Sequence, residues 1–338
     1  MRQLQDIDTP ALVLDLKIFY ENLEIMSECR PGLSLRPHVK AFKSSMIAGI
    51  LKNHGHKSFC CATIREIEGL VEAGHKEDIL LANETLDASR LSSLVASGAR
   101  ITVAVDSEAT IIAAAEGGIK EVLIDVNVGL PRCGCDISEV ETLSSFAKKH
   151  GLKIRGVMGY EGHLMFIQNK KERSRKVNEA MEILRDAHLI AGGDVISAGG
   201  TGTFDINTLA TEIQAGSYLF MDTRYSKIEL PFKESLSVAS KVISVEKASR
   251  WAVSNAGVKS LGMDYGKPSV QDGVVGICSD EHTTLFPSEG DDAVRWEIGD
   301  VVLLKPSHVD PTIAKHPKML CLDGGYVVEE WPIDLRDW

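Results

Sequence analysis

No run of this sequence is apolar for long enough to cross a bilayer. The opening residues Met1-Arg2-Gln3-Leu4-Gln5-Asp6 hold no apolar segment of the kind a secretion signal needs. Positive charge is lacking too. The formal net charge is -11, with neither a Lys/Arg run nor a basic stripe interleaved with aromatic residues, which argues against general nucleic-acid binding. The expectation is a cytoplasmic protein whose partners are neither membrane nor nucleic acid. Cysteine patterning is poor as well. The seven cysteines are an odd number without metal-finger spacing: Cys60-Cys61 sit in an apolar strand-like run, and Cys133 and Cys135 are too close for a C-x-x-C motif. Reduced, mostly buried thiols follow. No G-x-G-x-x-G follows the first strand, which makes a doubly wound sheet the weaker reading. Internal repeats and low-complexity linkers are also missing.

What is present is an ordinary soluble-enzyme composition, 44% hydrophobic and 25% charged over 338 residues, long enough for one large barrel and a smaller domain. Asp8–Asp15 reads as a short strand leading into an amphipathic helix that ends near Cys29. Strand candidates then follow at Leu33–Val39, Lys57–Cys61, Asp78–Leu81, Ile101–Val105, Glu121–Asn127, Lys153–Met158, Asp194–Ala198 and Ile213–Met221. Helical patterns such as Ile64–Ala73, Ser107–Ala115, Ser138–His150 and Lys171–Ala191 lie between them, with Asp106 or Ser107 and Asp136 or Ser138 as candidate N-caps. Eight strands alternating with helices predict an α/β fold, a (β/α)8 TIM-like barrel. After about Ser235 the texture changes to short β-branched runs separated by turn signals such as Asp272-Gly273, Glu289-Gly290 and Asp323-Gly324-Gly325. A C-terminal β domain is expected there. The predicted division is a barrel over residues 12–234 and a β domain of residues 1–11 and 235–338.

The first barrel strand carries the most chemistry. Leu33, Leu35, Pro37 and Val39 alternate with Ser34, Arg36, His38 and Lys40, so the last four share a face that ends at Lys40. A lysine crowded by a cation at the mouth of a strand has its ammonium form disfavoured, which suits an amine that forms Schiff bases. Taken alone, the stretch reads better as an edge strand with solvent-facing Lys40 and Lys43. Two further segments change that balance. Ala198-Gly199-Gly200-Thr201-Gly202-Thr203 follows the seventh strand, and Glu212-Ile213-Gln214-Ala215-Gly216-Ser217-Tyr218 spans the eighth. Both offer backbone N–H groups and hydroxyls where barrels bind phosphate. A phosphate cradle and an amine at one barrel mouth suggest pyridoxal phosphate (PLP).

Arg36-Pro37-His38-Val39-Lys40 resembles the PLP-lysine signature of the D-threonine aldolase/D-serine dehydratase family, which has the alanine-racemase-like fold type of a barrel followed by a β domain. Further segments resemble the same family in the same order: Leu81-Ala82-Asn83-Glu84, Val105-Asp106-Ser107, Val126 through Gly134, Gly159-Tyr160-Glu161-Gly162-His163, Gly199 through Thr203, and Gln214 through Tyr218 with Phe220-Met221-Asp222. The likeness covers essentially the whole chain, which is somewhat short for the family. It implies that Lys40 holds PLP, and that Gly200, Thr201, Gly202, Gly216 and Ser217 take its phosphate, with Gln214 and Tyr160 lining the cofactor. Arg132 would approach the pyridine nitrogen and keep it unprotonated; on its residues alone, Arg132 reads equally as a loop arginine paired with Asp125 or Asp136.

The family also uses the position of His308-Val309-Asp310 for a divalent metal. Residues i and i+2 of an extended segment face the same way, so His308 and Asp310 would share one cation. Dehydratases of the family typically carry His-x-Cys here and aldolases His-x-Asp. Imidazole with carboxylate and water suits Mn²⁺ or Mg²⁺, with Zn²⁺ behind them. The resemblance therefore implies a small-molecule D-3-hydroxy-amino acid as substrate, cleaved between Cα and Cβ to glycine and an aldehyde, with His163 or a water on the metal taking the hydroxyl proton. Dehydration of D-serine or D-threo-3-hydroxyaspartate at the same site is the alternative. A racemase with Tyr265 as second base, or a non-catalytic PLP carrier, leaves the C-terminal motif without purpose. The family implies a homodimer. His282 lies in a turn near a family Glu-His position, while His54, His56 and His75 read as surface residues.

Overall fold

The structure, a computed structural model, describes residues 2–248, 250–288 and 295–338; the expected turn at Glu289-Gly290 lies outside them. The chain divides into two compact units, Met26–Gly216 with Leu335–Trp338, and Met1–Ile25 with Ser217–Asp334.

The first unit is the barrel. Seven parallel strands run in sequence order: Phe59–Cys61, Ile79–Leu81, Ile101–Val105, Glu121–Asp125, Lys153–Gly159, Val195–Ala198 and Glu212–Ile213. The segment around Arg36 closes the ring as an eighth stave, with Leu35 bridging Ile213 on one side and His38 bridging Cys60 on the other. Arg36 N–H donates to Ile213 O, His38 N–H to Ala215 O, and Cys60 N–H to Pro37 O. Pro37 has no N–H to give, so on the Phe59–Cys61 side it takes part only as an acceptor, from Cys60 N–H. The last expected strand is cut short. It ends at Ile213, and Ser217–Leu219 forms a 3-10 turn instead.

Caps set the helices on the outside. Thr63 and Glu66 form a reciprocal capping box before Ile64–Glu72, and Ser107 caps Glu108–Glu116. Asp136 caps the turn leading into Val140–Lys149, and Asn169 caps Lys170–Ala191. Inside the ring, Cys60, Leu80, Ala104, Leu123 and Met158 pack as one apolar layer. A polar layer lies nearer the strand N-termini, two residues before the apolar one at Asp78 and Thr102, as a period of two requires, and three before it at Arg155, where a bulge shifts the register. There Arg36 Nε donates to Glu212 Oε1 at 2.7 Å and its Nη1 to Asp78 Oδ1 at 3.2 Å, while Arg155 Nη1 donates to Asp78 Oδ1 and Thr102 Oγ1, both at 2.7 Å. Burial works against the Asp78 charge, yet the two guanidinium groups bring its pKa down to about 2. The C-terminal tail closes over the outside. Leu335 is buried, its N–H donates to Lys43 O, and a side chain at Gly69 would strike it.

In the second unit Ala11–Asp15 lies between Leu236–Val245, antiparallel, and Lys318–Asp323, parallel. Ala252–Ser254, Gly273–Cys278, Val301–Lys305 and Tyr326–Pro332 form where short strands were expected. Arg2–Gln3, Ser269–Val270 and Thr283–Pro287 are additional. Phe19 anchors the core, with its ring centroid 5.4 Å from Trp331 and 6.1 Å from Phe220. Among the described residues no helix is long and apolar enough to cross a membrane.

Candidate active site

The stave that closes the barrel delivers Arg36 and His38 to its interior, and Lys40 follows in the 3-10 turn Val39–Ala41. Ser34 departs from the expected shared face, since it ends the turn Gly32–Ser34 and its hydroxyl donates to Pro31 O. His38 is buried, and its Nδ1 has no hydrogen-bond partner. Burial holds its pKa well below the usual imidazole value, and the charges of Lys40, Lys43 and Arg132 push the same way. The imidazole is therefore neutral beside Lys40. Lys43 is committed elsewhere, with its Nζ 2.6 Å from the buried Glu66 Oε1. Gln214 spans the neighbouring positions, donating to Ser197 Oγ at 2.9 Å and receiving the Cys60 thiol at 3.2 Å.

Gly199 through Thr203 are buried in a tight turn. A β-carbon on Gly202 would come within 2.3 Å of Met165 O, and one on Gly216 within 2.5 Å of His38 O, so both close approaches need glycine. A buried carboxylate sets the turn. Glu161 accepts from Gly199 N–H at 3.1 Å, the Thr203 hydroxyl at 2.9 Å and Asn207 Nδ2 at 3.2 Å. With its proton given to Glu161, Thr203 Oγ1 is left to accept from Gly200 N–H at 3.2 Å. Burial raises the Glu161 pKa against the pull of these donors. The motif containing Glu161 is visible in the sequence, but its role as a brace is not, because every donor arrives from about 40 residues downstream.

Tyr160 precedes that brace, with the Arg132 guanidinium 5.2 Å from its ring centroid. Asp125, at the end of its strand, has its pKa raised well above the usual carboxylate range by burial and by the charge of Glu84, to which it is hydrogen-bonded, while the Arg132 charge acts in the opposite sense. His163 is exposed and lies against Gly129, where a β-carbon would come 3.3 Å from His163 Nε2. Partial burial lowers its pKa, and the charge of Lys176 acts in the same direction.

The β unit brings together Ser217, Asp222, Asp264, Tyr265, His308 and Asp310. The extended reading of the C-terminal motif is corrected here. His308 is the N-cap of a short helix, Val309–Ala314, and Asp310 lies in its first turn. Pro311 is tolerated there because first-turn N–H groups have no helical partner. His308 Nδ1 is 2.7 Å from Asp264 Oδ2, and Ser217 Oγ donates to Asp310 Oδ1 at 3.4 Å. Asp222 accepts from Val309 N–H at 3.2 Å, and burial raises its pKa to about 6, with His308 lowering it and Asp310 raising it. Among the described residues no three His, Cys, Asp or Glu side chains converge as a ready-made cation site.

The remaining histidines divide differently from expectation. His54 is exposed, but His56 and His75 are buried, because residues distant in sequence close over them. His282 stays exposed in the turn before Thr283–Pro287.

A parallel eight-staved barrel with a lysine at the end of its first stave and a braced glycine loop after its seventh, joined in one chain to a mostly antiparallel β unit, defines an alanine-racemase-like protein. Residues 14–224 match the family model for the alanine racemase N-terminal domain, and residues 235–322 match the putative serine dehydratase domain. The chain is 33% identical to a D-threonine aldolase of Arthrobacter sp., over 98% of this chain and 94% of the relative. Among solved structures, a D-threonine aldolase from Filomicrobium marinum superposes with a TM-score of 0.91 at 30% identity, covering 99% of this chain and 98% of that one. A D-threo-3-hydroxyaspartate dehydratase from Delftia sp. HT23 superposes with a TM-score of 0.87 at 26% identity over the whole of both chains. The chain belongs to the D-threonine aldolase/D-serine dehydratase family, whose named members are lyases.

Proposed function

We propose that this chain is a PLP- and divalent-metal-dependent aldolase that cleaves D-threonine-like D-3-hydroxy-amino acids to glycine and an aldehyde. The residues fit the cofactor: the buried His38 Nδ1 lacks a partner beside Lys40, and the glycine-rich turn Gly199–Thr203 is braced by Glu161. PLP supplies the electron sink for the carbanion left at Cα, and a cation of the Mn²⁺ or Mg²⁺ type lowers the pKa of the β-hydroxyl.

Lys40 would hold the cofactor through its side-chain amine. Gly200, Thr201, Gly202, Gly216 and Ser217 receive the phosphate through N–H groups and hydroxyls. Arg132 keeps the pyridine nitrogen free of a proton, since a second cation beside a permanent guanidinium is disfavoured. Gln214 and Tyr160 bound the cofactor's sides. His308 and Asp310 hold the cation, and the His163 imidazole takes the hydroxyl proton as the Cα–Cβ bond opens. A cytoplasmic homodimer accompanies this reading, with size-exclusion light scattering as its check.

The observation that carries the aldolase reading is the carboxylate at position 310 beside His308, a hard donor pair in place of a thiolate. A dehydratase acting on D-threo-3-hydroxyaspartate is the second reading, favoured by the full-length likeness to the Delftia enzyme. Product identification separates them. The purified holoenzyme is given D-threonine, D-serine or D-3-hydroxyaspartate, with Mn²⁺ or with EDTA. Glycine and an aldehyde, lost with EDTA, are expected; ammonia and a 2-oxo acid would make the enzyme a dehydratase.

A further inference from the structure

His308 is held more tightly than two metal ligands alone require. Its Nδ1 lies 2.7 Å from Asp264 Oδ2, and its ring centroid is 4.5 Å from that of Tyr265, inclined by 36°. The Arg224 guanidinium sits 3.6 Å from the Tyr265 ring centroid, close enough for a strong cation–π contact. Arg224 is itself fixed by its N–H, which donates to Asp222 Oδ1 at 3.1 Å, and the other oxygen of Asp222 accepts from Val309 N–H. The loop that presents Asp264 and Tyr265 is tied down on both sides of them. Gly262 N–H donates to Thr312 Oγ1 at 2.9 Å, and the Ser307 hydroxyl lies 3.2 Å from Gly262 O and 2.7 Å from Gly266 O. Gly262 admits no side chain, since a β-carbon there would come 2.5 Å from Pro311 Cγ. The loop is thus fitted to the turn that carries His308 and Asp310.

A carboxylate can only accept from a neutral imidazole, so the nitrogen facing Asp264 carries the hydrogen and the other keeps its lone pair. We propose that Asp264, steadied by Tyr265 on the Gly262–Gly266 loop, is the positioning residue that fixes His308 as the Nδ1–H tautomer and makes Nε2 the atom that takes the divalent cation. This rests on the reading that His308 and Asp310 hold that cation. The competing account is an ordinary surface ion pair between Asp264 and a protonated His308. The two differ in one respect: a positioning carboxylate raises the basicity of the ligand and fixes its plane, so its loss weakens metal binding even when the fold is intact.

The test is a Mn²⁺ titration of the PLP-loaded enzyme followed by the electron paramagnetic resonance signal of free Mn²⁺, on wild type, Asp264→Asn and His308→Ala. Asp264 is half exposed, and Asn has the same shape, so Asp264→Asn keeps the melting temperature and the visible band of the bound cofactor. Mn²⁺ affinity is expected to fall roughly 10–100-fold in Asp264→Asn and to be lost in His308→Ala. If His308→Ala loses Mn²⁺ while Asp264→Asn binds it within about twofold of wild type, Asp264 is only an ion-pair partner and the inference is overturned. If His308→Ala binds Mn²⁺ as wild type does, the cation reading itself fails, and the inference with it.

Discussion

Lys43 and Glu66 form an ion pair at 2.6 Å in which the lysine is 14% exposed and the carboxylate not at all. The same carboxylate accepts from Ala62 N–H at 2.7 Å, so Lys43 is held by a group that also secures the start of a helix. The proposed cofactor linkage at Lys40 is tested directly. Borohydride reduction of the holoenzyme should place the cofactor's mass on the peptide containing Lys40, and Lys40→Ala should abolish the visible band. Lys43→Met should keep the band and lose about 3–5 kcal/mol of stability, because it strands a buried charge. A band that survives Lys40→Ala would move the linkage to Lys43.

Glu161 holds the turn Gly199–Thr203 directly at Gly199 N–H and through Thr203, whose hydroxyl serves it as donor while accepting from Gly200 N–H. Removing either end of that relay loosens the loop without touching the cofactor's reactive atoms. Thr203→Val is expected to weaken PLP binding about fivefold, the equivalent of one net hydrogen bond of ~1 kcal/mol, and Glu161→Gln to weaken it in the same direction. Equilibrium dialysis of PLP against each variant, with melting temperatures alongside, is the measurement. Unchanged affinity in both variants would reduce Glu161 to a packing role.

The barrel could be read from the sequence because its staves obey a local rule. Inward residues two apart, such as Asp78 and Leu80 or Thr102 and Ala104, belong to successive interior layers, and a period of two is visible without knowing the neighbours. Lys40 stood out for the same reason, as the end of an alternating run. What stayed hidden depends on distant partners. Asp264 is 44 residues from His308 in sequence, and no spacing rule connects them. The helix at Val309–Ala314 was masked by Pro311, which reads as a helix breaker although the first turn accepts it. His56 looked exposed beside a helix end, yet Ser27 and Gly32 cover it.

That burial gives His56 a pH signature. Its Nδ1 faces Gly32 O at 3.0 Å and its Nε2 faces Ser27 Oγ at 2.8 Å. A carbonyl can only accept, so Nδ1 carries the hydrogen and the ring is neutral. Burial lowers its folded-state pKa below the ordinary value of 6.5. The unfolded chain then binds the proton more readily, so the stability His56 contributes is full above about pH 6.5 and is lost as pH falls through the folded value. Asp222 and Glu161, whose pKa values are raised, act in the opposite sense, losing stability as pH rises through theirs. The contribution is therefore read as a difference. The gap in melting temperature between wild type and His56→Gln should narrow between about pH 7.5 and about pH 5.5. A gap that widens on acidification would mean that the folded protein favours charged His56.

Asp310 offers the sharpest division between chemistry and structure in the β unit. It lies in the first turn of a helix, where a carboxylate also favours the helix N-terminus, so its removal carries a small structural cost of about 0.3–1 kcal/mol. If Asp310 holds the proposed cation, loss of that ligand is a much larger effect. Asp310→Ala is expected to keep the visible band of bound PLP and lower the melting temperature only slightly. Mn²⁺-supported turnover should drop by more than about 100-fold, beyond the roughly 10–100-fold that follows loss of an outer partner. Asp310→Cys should shift the preferred ion towards Zn²⁺, since a thiolate is the softer donor. Turnover that survives Asp310→Ala and stays sensitive to EDTA would place the cation on other residues. Turnover that survives and ignores EDTA would leave proton removal to a side chain such as His163 acting without a metal.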